Sequence, residues 1–184
     1  MVVTKVNKRY DERQTPLHVA SQLGQLEIVR SLIARRAKPN LKNTIKETPL
    51  FIASRNGNLD IARLLLNSGA NVNRPDLEKR TPLHEASEKG HVEVVRLLLG
   101  RNARVDDKKA DGETALHLAA SYGHVEVVRL LISRHAGQRI QNNMGKTALD
   151  LAREKGHESV VRLIETRVGG DRMGTSTARG YQGQ

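Results

Sequence analysis

Residues 90–103 read GHVEVVRLLLGRNA, and residues 123–136 read GHVEVVRLLISRHA, nearly the same helix written twice 33 residues apart. The first copy sets Val92, Val94, Val95, Leu97, Leu98 and Leu99 at helical spacing, over more than one stripe of the helix surface. An isolated helix pair cannot bury that much apolar surface. A stack of such pairs can, which is the physical reason for a chain to repeat itself.

The period extends outward from these two copies. TPLHVA starts at Thr15, TPLFIA at Thr48, TPLHEA at Thr81, TALHLA at Thr114 and TALDLA at Thr147, always 33 residues apart and without insertion. Each unit predicts two helices joined by a turn. The threonine hydroxyl caps the first helix, and a proline after it is tolerated because that position needs no N–H. Gly24, Gly57, Gly90, Gly123 and Gly156 end the first helices, where a left-handed residue is wanted.

The 33-residue period and the T-P-L-H-x-A signature resemble the ankyrin repeat family, over roughly residues 10–168. The resemblance implies an all-α solenoid of stacked helix-turn-helix units, with β-hairpin fingers projecting between repeats. Residues 1–14 are then a lead-in with the first hairpin half, and 15–168 hold five repeats. Residues 169–184, rich in Gly, Ser and Thr, are expected to be unstructured. A single Arg-Gly-Tyr in that tail is a weak sign of RNA contact.

The terminal repeats differ from the middle ones. Glu158 and Glu165 replace the apolar residues of earlier repeats at positions seven apart on one helical face. A solenoid ends in water on such a polar face. Ser31 stands where later repeats have Leu64, Leu97, Leu130 and Leu163, which marks repeat 1 as the other cap and five repeats as the expected whole array.

Composition narrows the function classes. Aromatic residues are 2% of the chain, so the core is aliphatic; cysteine is absent, so disulfides, thiol catalysis and cysteine-ligated zinc are excluded. The start, MVVTKVNKRY, has no apolar stretch of signal-peptide length, and no run is long enough to span a membrane. A cytoplasmic or nuclear location is expected. The formal charge of +11 attracts acidic proteins, nucleic acid and anionic membranes without choosing among them.

Repeating polar residues have two readings. His84 and His91, like His117 and His124, are seven apart, a spacing that invites a metal site but recurs with the scaffold. Zinc needs further converging ligands. The resemblance assigns His18, His84 and His117 to ties between adjacent repeats, and His91, His124 and His157 to the starts of second helices. Phe51 and Asp150 break the first pattern. Arg30, Arg63, Arg96, Arg129 and Arg162 form a ladder that could face nucleic acid, but Glu27, Asp60, Glu93 and Glu126 precede the first four by three residues and neutralise them. No phosphate-cradling loop or nucleophile motif is present, and no cofactor, metal or catalytic set is assigned.

Residues that vary at equivalent places can specify a partner. The resemblance puts such positions at the fingertips and on the inner face of the first helix: Ile45, Glu47, Arg55 and Asn56; Leu77, Glu78, Arg80, Glu88 and Lys89; Asp111, Glu113, Ser121 and Tyr122; Met144 and Lys146. Ile45, Leu77 and Met144 are apolar where the family often has polar residues, and Tyr122 is an anchor type, although single exposed apolar residues are ordinary. The turn glycine kept as Gly112 and Gly145 is replaced by Arg13, Lys46 and Lys79, so the first fingers are expected to be looser or differently shaped. Asn73, in LLLNSGANVN, resembles an asparagine hydroxylated in some ankyrin proteins. The expected function is non-catalytic binding by a monomer of a protein with an acidic surface. The alternative is electrostatic binding of nucleic acid or anionic lipid.

Overall fold

The computed structural model describes residues 6–170. Residues 171–184, most of the segment expected to be unstructured, lie outside the described residues. The first helices are α1 (Pro16–Gln22), α3 (Pro49–Arg55), α5 (Pro82–Glu88), α7 (Ala115–Ser121) and α9 (Ala148–Glu154). The second helices are α2 (Leu26–Ala34), α4 (Leu59–Asn67), α6 (Val92–Leu99), α8 (Val125–Ser133) and α10 (Glu158–Gly170). Each first helix packs on its own second helix and on the first helix of the next repeat. Although shorter, the first helices pack against one another more extensively than the second helices do. The stack therefore curves, with the first helices on the inside.

Helix starts follow the capping chemistry. The Nδ1 atoms of His18, His84 and His117 accept the N–H of Thr15, Thr81 and Thr114 at 3.1, 3.1 and 3.2 Å. Asp150 does the same for Thr147, at 2.9 Å. Because Nδ1 accepts, Nε2 carries the proton, and it donates to the carbonyl of Glu47, Glu113 or Lys146 in the next finger, at 3.2, 3.3 and 3.1 Å. One ring thus caps its own helix and ties the next repeat to it. Phe51 cannot make that tie and is buried instead, with Thr48 Oγ1 accepting its N–H at 3.2 Å.

First helices end as expected, with Gly24, Gly57, Gly90, Gly123 and Gly156 at φ of 69 to 74°. At the middle three, a Cβ would lie 2.6–2.7 Å from the ring of His91, His124 or His157 of the following repeat. Glycine is thus required there by packing as well as by backbone conformation. Those rings donate to the carbonyls of Arg55, Glu88 and Ser121 at 3.0, 2.7 and 2.9 Å.

The fingers depart from expectation in shape. The fingers are not β-hairpins: no strand forms among the described residues. Each is a tight turn closed by a backbone bond, as from Asn43 N–H to the Glu47 carbonyl or Asp76 N–H to the Arg80 carbonyl, with a second inside most turns, as from Lys46 N–H to the Asn43 carbonyl, and joined to the next finger by another, as from Leu77 N–H to the Ile45 carbonyl at 3.1 Å. The segments are too short for a ladder. Of the early fingers, the first is shaped differently, with Glu12 as well as Arg13 left-handed at φ of 55 and 57°, while Lys46 and Lys79, at 64 and 61°, make the single left-handed turn that Gly112 and Gly145 make at 83 and 73°. The backbone bonds of the turn impose that conformation, at about 1 kcal/mol per non-glycine residue.

The two ends also differ. Glu158 and Glu165 are exposed, as a polar cap requires. At the N-terminal end Ser31 is exposed, yet Val19 and Ile28 remain 40% and 47% accessible. Their equivalents, Ile52, Glu85, Leu118 and Leu151, and Ile61, Val94, Val127 and Val160, are all buried by the preceding repeat. Repeat 1 is only partly capped, because a single serine removes one apolar residue from a face that holds three.

Candidate functional site: the inner face and its fingertips

The four apolar and aromatic candidates stand clear of the stack. Ile45, Leu77, Tyr122 and Met144 are 51%, 54%, 55% and 75% exposed. Ile45 and Leu77 are joined through the backbone bond between their fingers, so their side chains share one stretch of the fingertip row. Tyr122, the residue after α7, lies on the inner face with its ring stacked on that of His124, centroids 6.3 Å apart. Leu23 occupies the same place in repeat 1 and is also exposed.

The charged nominees behave differently. Fingers 2, 3 and 5 fold back over the inner helix of their own repeat, bringing residues eight apart into contact. Glu47 pairs with Arg55, Arg80 with Glu88 and Lys146 with Glu154. Glu47 is buried, and Asn43 Nδ2 donates to its second oxygen at 2.9 Å. Glu85, also buried, gives Arg80 a second carboxylate. Burial raises the Glu85 carboxyl above its ordinary pKa despite the Arg80 charge. Burial acts on Glu88 in the same direction, but hydrogen bonds from Lys89 and Arg80 outweigh it and hold Glu88 low. Glu113 has Ser121 eight residues on and pairs with Lys109 instead, at 3.1 Å. Glu47, Arg55, Arg80, Glu88, Glu113 and Lys146 are therefore occupied in fixing the fingers. Glu78, Lys89 and Asp111 are exposed, as is Asn56, whose amide donates to the Gln22 carbonyl at 3.0 Å. Ser121 is half-buried.

Asn73 is part of a structural series. Its Oδ1 accepts the Arg104 N–H at 2.9 Å, and its Nδ2 donates to the Asn102 carbonyl at 3.2 Å. Asn40 makes the same two contacts one repeat earlier, at 2.8 Å each. Asn7 and Asp106 supply the acceptor to Lys38 and Gly137. The recurrence of Asn or Asp at 7, 40, 73 and 106 was visible in the sequence and marks a tie between loops.

The histidines are all engaged in caps and carbonyl contacts except His135, and no three potential metal ligands converge among the described residues. On the outer face, Arg30, Arg96 and Arg129 pair with Glu27, Glu93 and Glu126 at 3.3–3.6 Å. These exposed pairs are worth a few tenths of a kcal/mol each and cancel most of the ladder's charge. Shallow grooves between the second helices are lined by these same residues rather than by a convergent polar set. Lys46 and Lys79, which stand where later repeats have glycine, are both exposed, each near Ile45 or Leu77 in its own finger.

No helix among the described residues is long and apolar enough to cross a membrane. No curated protein matches the chain. The family model for ankyrin repeats (3 copies) matches residues 17–109 and again 102–170, together most of the sequence. The chain belongs to the ankyrin repeat family.

Proposed function

We propose that the protein is a non-catalytic binding module that presents its inner face and fingertips to another protein. Ankyrin repeats generally mediate protein–protein interaction, and the family is typically non-catalytic. One observation carries the reading for this chain. Apolar side chains stand exposed where the repeats vary, on a face held rigid by finger-to-helix ion pairs. Tyr122 is the anchor: an aromatic body with a polar tip, positioned by its stack on His124. Of the nominated residues, Ile45, Leu77, Glu78, Lys89, Asp111, Tyr122 and Met144 contact the partner, Lys89 and Asp111 while also paired with Glu88 and Lys109, and the pairs between finger and inner helix position them. A partner with an acidic surface suits the net charge of +11, and the chain binds it as a monomer in cytoplasm or nucleus. Asn73 is a hydroxylation site in this reading only if its loop opens, since both ends of its amide are bonded. Its unmodified mass in native protein would remove it.

The test is capture from nuclease-treated lysate at low and high salt, beside an Ile45→Ser/Leu77→Ser/Tyr122→Ser variant. A protein held at high salt by the wild type and lost by the variant supports the inner-face reading. Capture that vanishes with nuclease or salt and ignores the variant supports electrostatic binding of nucleic acid or lipid, because phosphate-driven binding falls steeply with salt.

A further inference from the structure

Fingers 2 and 3 differ from finger 1 in charge, and from fingers 4 and 5 in charge and in strain. Lys46 and Lys79 occupy the left-handed turn position at φ of 64 and 61°. Fingers 4 and 5 place glycine there, and at Gly112 a Cβ would lie 2.5 Å from Asn143 Oδ1, so that finger has no room for a side chain. Fingers 2 and 3 have the room, fill it with exposed lysine, and keep the backbone strain that glycine would relieve. Lys42 and Arg74 stand on the flanks of the same two fingers. None of these four cations pairs with a carboxylate among the described residues. The Lys42 ammonium is held below its ordinary pKa by burial first and then by the charges of Arg74 and Lys46, so the cations lie close enough to repel. Two carboxylates oppose them. Asp76 is half-buried, with Oδ1 accepting the N–H of Glu78 and Arg80; Glu78 is exposed. Finger 1, by contrast, surrounds Arg13 with Asp11 and Glu12.

We propose that fingers 2 and 3 form a docking site for an acidic peptide in extended conformation, with Lys46 and Lys79 each taking a carboxylate and Ile45 and Leu77 taking the apolar residues between. This deepens the inner-face reading above and rests on it. The geometry fixes the spacing of the acids. A finger is an out-and-back turn, two chains wide, bonded edge to edge with the next. Equivalent positions therefore recur at about two strand spacings, roughly 10 Å, which matches the distance between packed helices. A polyproline-II chain rises about 3.1 Å per residue and returns to the same side every third residue, at about 9.3 Å. Acidic residues three apart thus face successive lysines. A β-strand alternates sides and brings residues three apart to opposite faces. Exposed isoleucine and leucine beside the charges favour a peptide over a phosphate polymer, which has no apolar group to offer them.

The probe is a fluorescein-labelled peptide of three Glu-Pro-Leu triplets, titrated with the full chain at physiological salt and followed by anisotropy. Saturable binding is expected. Lys46→Gly/Lys79→Gly is expected to weaken it roughly tenfold, the loss of two exposed charge-assisted contacts. The same variant is expected to show a urea midpoint no lower than wild type, because glycine suits the turn, so weaker binding cannot be put down to unfolding. Unchanged affinity in that variant overturns the site. So does equal binding of a peptide of the same composition with its three glutamates adjacent, or displacement of the peptide by a more tightly bound polyuridylate. A partner captured from lysate that survives Lys46→Gly/Lys79→Gly but is lost with the Ile45/Leu77/Tyr122 serine variant overturns this site and leaves the inner-face reading standing.

Discussion

Gly90 and Gly156 end equivalent helices at φ of 74 and 73°, and only one of them has a neighbour above it. An alanine Cβ at Gly90 would lie 2.7 Å from Nδ1 and 2.8 Å from Cε1 of His124. At Gly156 nothing among the described residues comes within 4 Å. The left-handed backbone costs alanine about 1 kcal/mol at both sites. At Gly90 the His124 ring must also move, and with it goes the bond to the Glu88 carbonyl, 2.7 Å long. Losing that bond and leaving a part-buried carbonyl unpaired adds about 1–2 kcal/mol. Gly156→Ala is therefore expected to cost about 1 kcal/mol and Gly90→Ala about 2–3 kcal/mol. Urea unfolding followed by far-ultraviolet circular dichroism measures both. In a His124→Ala background, where that bond is already absent, Gly90→Ala should cost only the backbone strain of about 1 kcal/mol, a coupling of about 1–2 kcal/mol. Equal losses at Gly90 and Gly156 would refute the claim that the neighbouring imidazole selects glycine there.

Acid should destabilise the fold through the capping histidines. Burial pulls His84 from its ordinary value down to about 4, and His18 and His117 shift the same way. The unfolded chain takes up protons as pH falls through about 6.5 and the folded chain does not. Stability is then complete above that pH and lost on the way down to about 4, with His84 alone contributing about 3 kcal/mol. A urea midpoint flat across that window, or a slope unchanged in His84→Phe (the residue type at Phe51), would contradict it. Ser87 Oγ is buried without a hydrogen-bond partner, and Ala120 stands at its place in repeat 4. Ser87→Ala is expected to be neutral or stabilising by up to about 1 kcal/mol, and a clear loss of stability would show that the hydroxyl has a partner. Ile28→Lys is expected to change stability by under about 0.5 kcal/mol, while Ile61→Lys at the buried equivalent should cost more than about 4 kcal/mol; thermal melts compare them.

Much of this molecule is written in short-range pattern. The 33-residue period, the threonine caps, the helix-ending glycines and the glutamates of repeat 5 could all be read directly, because caps, turns and helical faces depend on residues within one or two turns of each other. The bonding of His18, His84 and His117 followed from the family resemblance. What could not be read was how the variable residues are used. Glu47 and Arg55, or Arg80 and Glu88, are eight residues apart, a separation that brings no two side chains together on a single helix or strand. They meet because the finger folds back across the inner helix of its own repeat, and only then do six of the nominated residues become internal struts while Ile45, Leu77, Tyr122 and Met144 stay exposed. Strain follows the same logic. Lys46 and Lys79 looked like departures that would loosen a turn, yet closing bonds within each finger and bonds to its neighbours hold them left-handed. Exposure of Val19 and Ile28 is likewise a property of the stack, since the equivalent residues are buried wherever a preceding repeat packs on them. Local sequence determined what each repeat is. Contacts between segments that the stack brings together decided which side chains remain free to bind.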